Sequence, residues 1–317
     1  MLKFLLRRFA LALVTLWLLS VIVFALGQVL PGDLGRNVLG GFASQDSVDA
    51  FNKERGLDRP AVTQYVDWAS HAVRGDFGKS YTSNESVNSI LARALPKSAE
   101  LALLAFVLMI PLSFLGGLIS ALKAFGPVDR VISIAGLSLT VVPEFVSALV
   151  AIVIFGIVLG WLPVSARWPD GADIFVQIKY ILLPALVLVG VLFGYVSRMV
   201  RAGTIEALDA DYTRTAYLKG LGLRDVLFKH VLRNALLPTI AVVATQIGYL
   251  LGGLVIVERA FNYPGMGQEI VNHAVLKDFS VVQAGAMVIG ATYLTATVLA
   301  DIAYTLLNPR VRFGDTE

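Results

Sequence analysis

Uncharged apolar runs of bilayer length recur from one end of this chain to the other, separated by polar segments. The first, residues 9–30, would extend about 33 Å as an α-helix, enough to cross a hydrocarbon core of about 30 Å. Comparable runs occupy residues 101–122, 131–162, 235–257 and 279–300, the last opening a span that extends to 307, and a shorter one covers 181–197. The third run is interrupted only by Glu144, and in the short fourth run Pro184 stands near the start, where a first helical turn tolerates proline. The pattern predicts an all-α integral membrane protein of six transmembrane helices in one domain, 1–317. The basic start (Lys3, Arg7, Arg8) and Ala25-Leu26-Gly27 also loosely resemble a cleavable signal. The first run exceeds the roughly 7–15 apolar residues of a signal core, so it reads as a membrane anchor.

The segment between the first two runs, 31–100, has helical periodicity of its own, which predicts a folded loop. Pro60 opens a helix in which Val62, Tyr65, Val66, Ala69 and Val73 share one face, and Gly75 closes it. A second amphipathic piece runs through Val87, Ile90, Leu91 and Ala94 to Pro96. Such faces either pack on the outer ends of membrane helices or dock an external partner. Within the spans, Gly156 and Gly160, Gly190 and Gly194, and Gly248 and Gly252 are each four apart, a spacing that lets helix backbones approach closely.

Composition agrees with the pattern. Hydrophobic residues make up 56% of the chain and charged ones only 15%, where soluble domains are nearer about a quarter charged. The net charge of +3 does not point to nucleic acid, because the basic residues are scattered along the loops; anionic lipid and the positive-inside bias account for them. Cysteine is absent, which excludes disulfides, thiolate catalysis and cysteine metal sites. With both termini cytoplasmic, the inner segments hold fourteen lysines and arginines, seven of them between Arg198 and Arg233. The two short outer loops hold four: Arg167, Lys179, Arg259 and Lys277. That asymmetry sets the orientation and puts the 31–100 loop outside.

Catalytic constellations are missing. His71, His230 and His273 fall in separate segments without metal-ligand spacing. Residues Gly75 to Ser80 read GDFGKS, but a phosphate-binding P-loop needs glycine where this chain has Val73. The chemically suggestive segment is the inner loop 198–234. Asp211 is placed to cap a short helix from Tyr212 to Lys219, Gly220 to end it, and a second helix through Val226, Leu227 and Val231 leads toward Pro238.

The stretch YTRTAYLKGLGL (Tyr212 to Leu223), followed by KHVLRNALLP (Lys229 to Pro238), resembles the coupling loop of bacterial ABC importer permeases of the dipeptide, oligopeptide and nickel family. Further similar stretches are RGLDRP with Gln64, Tyr65 and Trp68; RGDFGKS (Arg74 to Ser80); LGWLPVS (Leu159 to Ser165); YPGMG after Asn262; and LLNPRVRF (Leu306 to Phe313). They span nearly the whole chain in order. The general permease motif has Glu-Ala-Ala where this chain has Arg214, Thr215 and Ala216, a departure that resembles the peptide branch.

The resemblance implies a type I importer permease fold with a folded extracytoplasmic loop, in the inner (plasma) membrane. It implies a homologous second permease, two ATPase subunits and a solute-binding protein as partners. No cofactor is expected in this chain, ATP and Mg being bound by the ATPases. Tyr212, Arg214, Thr215, Ala216, Lys219 and Gly220 would form the coupling helix that sits in an ATPase cleft. The expected cargo is a dipeptide or oligopeptide, with a glutathione-like compound or nickel as alternatives. An ion-driven secondary transporter would call for inverted repeats and a buried ionisable cluster; the spans offer only Glu144 and Asp301, which stand as candidate pathway or interface residues.

Overall fold

The computed structural model describes residues 2–29, 34–40 and 42–307. Leu30 and the motif residues from Asn308 onward lie outside them. The described residues form thirteen α-helices and two π-helical stretches, divided into two compact units.

The first unit comprises Met1–Ser98 and Pro264–Leu294. It contains α1 (Leu2–Val29), α2 (Leu34–Leu39), α3 (Gln45–Glu54), α4 (Ala61–Ala72), the start of α5 (Val87–Leu122), α12 (Met266–Val275) and most of α13 (Phe279–Leu307). Helix α4 lies against α1 through an aromatic cluster: the Phe24 ring stands 5.4 Å from Tyr65 and 6.2 Å from Trp68. Ser20 and Tyr65 share a hydrogen bond of 2.9 Å, and Gln64 donates to the carbonyls of Leu57 and Arg59. The packed face of α4 is therefore set by the half-buried Tyr65 and Trp68, whereas Val62, Val66 and Val73 are exposed. This corrects the predicted stripe: two large rings bury more apolar surface than three valines, and they choose the orientation.

The predicted packing of Val87, Ile90, Leu91 and Ala94 does form, against Met266, Val281 and Ala284. Pro96, however, does not end that piece, for α5 continues through it for 36 residues. Just before α13, the buried Asp278 carboxylate accepts hydrogen bonds from the hydroxyls of Ser80, Thr82 and Ser280 and from the amides of Tyr81 and Thr82. Burial pushes that carboxyl upward, but the donors outweigh it and hold it below the usual carboxylate range. The GDFGKS segment is thus a turn leading into this anchor, with Gly75 and Gly78 both at positive φ. The unit also holds a hollow of about 410 Å³ lined by Arg55, Lys79, Asp67 and Asp76 beside Phe24 and Trp68.

The second unit comprises Ala99–Tyr263 and Thr295–Glu317. Its centre is α8 (Ile174–Asp209), whose Leu183, Val187, Leu188, Leu192 and Val196 are buried with Leu101, Ala105 and Met109 of α5 and with Leu250, Leu254 and Val257 of α11 (Leu232–Ala260). The run predicted shortest, 181–197, lies within one of the two longest helices. Asp173 caps α8 by accepting from the amides of Phe175 and Val176, so Pro184 falls inside the helix and not in its first turn. Hydropathy marks where a helix meets lipid; its hydrogen-bond ladder continues into the polar segments on either side.

The third predicted run is not one straight span. It is α6 (Pro127–Val141) and α7 (Glu144–Ala151), bent by 112° across Val142 and Pro143 and continued by the π-helical Ile152–Val158. Pro143 has no N–H to close the ladder and forces Val142 into an extended conformation, φ −69° and ψ 127°. The bend leaves an apolar hollow of about 420 Å³ among α6, α7 and α8. Above it α6 and α8 meet at Gly136 and Gly194, where a Cβ on Gly194 would stand 2.2 Å from the Gly136 carbonyl oxygen.

By length and apolar character, four helices among the described residues are able to cross a membrane, within α1, α5, α8 and α13, or five if the bent pair α6 and α7 is counted as one broken span instead of a re-entrant loop. The remaining run, 235–257, lies inside the 29 residues of α11. Along these helices Leu11, Trp17, Ile22, Leu103, Val107, Ile110 and many like them are exposed, as lipid-facing or partner-facing surface must be.

Candidate coupling site

Helix α8 ends at Asp209, and a single residue, Ala210, links it to α9 (Asp211–Leu218). The cap differs from the sequence reading: Ala210 holds the extended N-cap conformation and Asp211 is the first helical residue, where its charge complements the helix dipole. The junction is secured by Thr213, which is buried and donates its hydroxyl at 2.6 Å to the carbonyl of Ala207, one of the orphaned acceptors at the end of α8.

The far end is closed as predicted at Gly220, which sits at φ 80°. Its N–H reaches the Tyr217 carbonyl at 2.9 Å, and the next N–H, of Leu221, reaches Ala216 at 3.2 Å. This pair is a Schellman closure, and Leu221 and Ala216 complete it by packing together with Ala207, Val226, Leu227, Val231 and Ala235. The chain then passes through α10 (Leu223–Asp225) and the π-helical Val226–Val231 directly into α11. The result is a short helix fastened at both ends, by α8 on one side and α11 on the other.

Of the predicted coupling residues, Tyr212, Arg214, Thr215 and Lys219 are exposed. Ala216 is not: it faces the core of the knob and belongs to the closure. Tyr217 and Leu218, which lie outside that set, are exposed as well, Leu218 by 83%. Helical phase points Leu218 away from the face of Thr213 and Ala216, whereas Tyr217, four residues after Thr213, flanks that face and its exposure is not given by phase. Tyrosine, leucine and arginine together on an exposed short helix make a surface suited to a partner's groove.

Glu144 is the first residue of α7, half-buried, with its carboxylate near Gly253 of α11. A carboxylate at a helix N-terminus is favoured by the dipole and by the unpaired N–H groups of the first turn. Asp301 is half-buried near the end of α13, on a different element.

The family model for the inner membrane component of binding-protein-dependent transport systems matches residues 113–313, and a companion model for the N-terminal part of such membrane components matches residues 1–102. The chain belongs to this family. Similar over nearly their full length are a protein of Brucella abortus (strain 2308) described as a peptide transport system permease, 34% identical over 97% of this chain and 98% of its own, and the glutathione transport system permease protein GsiC of Escherichia coli (strain K12), 32% identical over 99% and 100%. A crystal structure of an amino acid ABC transporter with histidines shares the fold, with a TM-score of 0.50 at 18% identity, covering 70% of this chain and 94% of that one. This chain is accordingly an ABC importer permease, a multi-pass membrane subunit. It has a transport role and no hydrolytic one; ATP is hydrolysed by partner subunits.

Proposed function

We propose that this permease forms, with a homologous second permease, the membrane pathway for small peptides delivered by an extracytoplasmic binding protein. Both termini and α9 lie on the cytoplasmic side and the 31–100 loop outside, in keeping with the basic-residue bias. Tyr212, Arg214, Thr215 and Lys219, with Tyr217 and Leu218, occupy a cleft of one ATPase subunit; Ala216 and Gly220 hold the helix in shape. ATP and Mg are bound by the two ATPases and not by this chain. Closure of the ATPases draws the coupling helices together and opens the pathway outward, and hydrolysis resets it.

The observation that carries this reading is the α9 knob, a short helix locked to the ends of α8 and α11 with an exposed aromatic and basic face. The cargo assignment rests on the full-length similarity to a permease described for peptides. Similarity to the glutathione permease supports a second reading, a glutathione-like solute. The deciding experiment reconstitutes the complete complex in proteoliposomes and follows labelled dipeptides, longer peptides and glutathione. Uptake is expected to require ATP and to favour one peptide class. Uptake that persists without ATP on an ion gradient would sink the proposal.

A further inference from the structure

Arg201, one of the inner positive charges, forms a doubly hydrogen-bonded ion pair within the second unit. Its Nε and Nη2 donate to the two oxygens of Asp129 at 2.7 Å each, a parallel fork. The same carboxylate accepts from the hydroxyl of Ser120 on α5, from Ser133 on α6 at 3.3 Å, and from the amide of Phe125 at 2.7 Å. Asp129 is 6% and Arg201 23% exposed, so the pair is largely withdrawn from solvent. Phe125 itself stands at φ 64°, a left-handed conformation costly for an aromatic residue, and its ring lies 5.6 Å from the Arg201 guanidinium. Strained backbone of this kind persists where neighbouring contacts over-determine it.

The position of the pair matters more than its strength. Arg201 lies on α8 about two turns before that helix ends at Asp209, and only the extended Ala210 separates its end from α9. Asp129 lies in the first turn of α6, the helix that bends at Pro143 to place Glu144 at the head of α7. A displacement of α9 reaches Arg201 along a rigid rod, and a fork of two short hydrogen bonds passes it to α6. Further along, α6 and α8 touch at Gly136 and Gly194, and Thr140 donates to the Val191 carbonyl at 3.1 Å; these contacts keep the helices adjacent without a charge to pull on.

We propose that Asp129 and Arg201 are positioning residues that transmit movement of the coupling helix to α6 and hence to the bend at Pro143. The pair is a transmission clamp as well as a structural bond. This rests on the reading of α9 as the coupling helix.

The test separates transmission from stability by comparing neutral and charged replacements. Breaking one half of a buried pair leaves an unpaired charge and destabilises by itself, whereas neutralising both halves does not. In the complete reconstituted complex, the double variant Asp129→Asn/Arg201→Gln is expected to assemble with the ATPases and hydrolyse ATP. The ATP consumed per peptide imported should rise roughly fivefold or more. Arg201→Lys, which keeps the charge but loses the fork, should show the same defect in smaller degree, and it is the variant read if the double one fails to assemble. Wild-type ATP-to-peptide ratios in the assembled double variant, or in Arg201→Lys where only that assembles, would overturn the clamp. Failure of the α9 reading shows separately, as normal ATPase association and coupling when α9 itself is distorted at Gly220.

Discussion

Gly220 is the residue on which the shape of the α9 knob turns. At φ 80° a side chain with a Cβ is penalised by about 1–2 kcal/mol, and a β-branched one has no relaxed rotamer to offer in return. Nothing lies within 4 Å of the position a Cβ would take, so the cost is one of backbone and not of packing. Gly220→Val should therefore leave the spans inserted while reducing the population of the correctly closed loop roughly five- to thirtyfold. A pull-down of the ATPases with a parallel uptake assay reads the outcome; full association with full ATP-dependent uptake would end the assignment of α9. The contrast with Ala216 is instructive. The family pattern singles out both residues, yet one is needed for its backbone and the other for its burial among Ala207, Val226 and Val231, and neither has a side chain to offer a partner.

Among the elements, α7 has its start specified by a proline, Pro143. Pro143 ends α6 and begins α7, and Glu144 thereby becomes the first residue of a helix instead of the middle of one. An acidic side chain there, half-buried beside Gly253, has the helix N-terminus as its favourable neighbour, so an isolated charge in lipid is avoided. If Glu144 faces the pathway, it favours cargo with a free amine. Glu144→Gln should then lower uptake of peptides with free amino termini several-fold relative to N-acylated ones, roughly the effect of about 1 kcal/mol. Competition between the two peptide classes in the same vesicles measures this, and an unchanged preference in an assembled complex would place Glu144 at a structural interface instead.

For the whole molecule the testable property is orientation. The chain lacks cysteine, so single introduced thiols report cleanly. Ser47 and Ser83 are exposed in the 31–100 loop and Thr215 is exposed on α9, whereas Thr213 is buried and would be silent from either side. Cysteines at Ser47 and Ser83 should react with an impermeant reagent in intact cells, and one at Thr215 only after permeabilisation. Labelling of Thr215 with silence at both loop positions would invert the topology. The same scale shows why the six apolar runs were legible while their ends were not. A charge in hydrocarbon costs several kcal/mol wherever it falls, so its avoidance is written residue by residue. Helix ends answer to capping groups such as Asp173 and Thr213 that lie outside the apolar run.

Three prolines mark the boundary between what the sequence alone determined about this protein and what tertiary structure decided. The membrane class, the apolar runs and the turn at Gly220 follow from hydropathy and local backbone sterics, which act over a few neighbouring residues; the family resemblance rests on motif stretches such as Tyr212 to Leu223 read in order along the chain. Pro96, Pro143 and Pro184 look equally capable of breaking a helix, yet α5 and α8 run through the first and last while the second turns the chain by 112°. Which of them bends depends on what packs around the freed carbonyls. In the same way, Asp129 meets Arg201 and Asp278 meets Ser80 across long stretches of chain, and neither pairing leaves a local trace. Charge compensation between distant residues is settled only when helices are brought together in space.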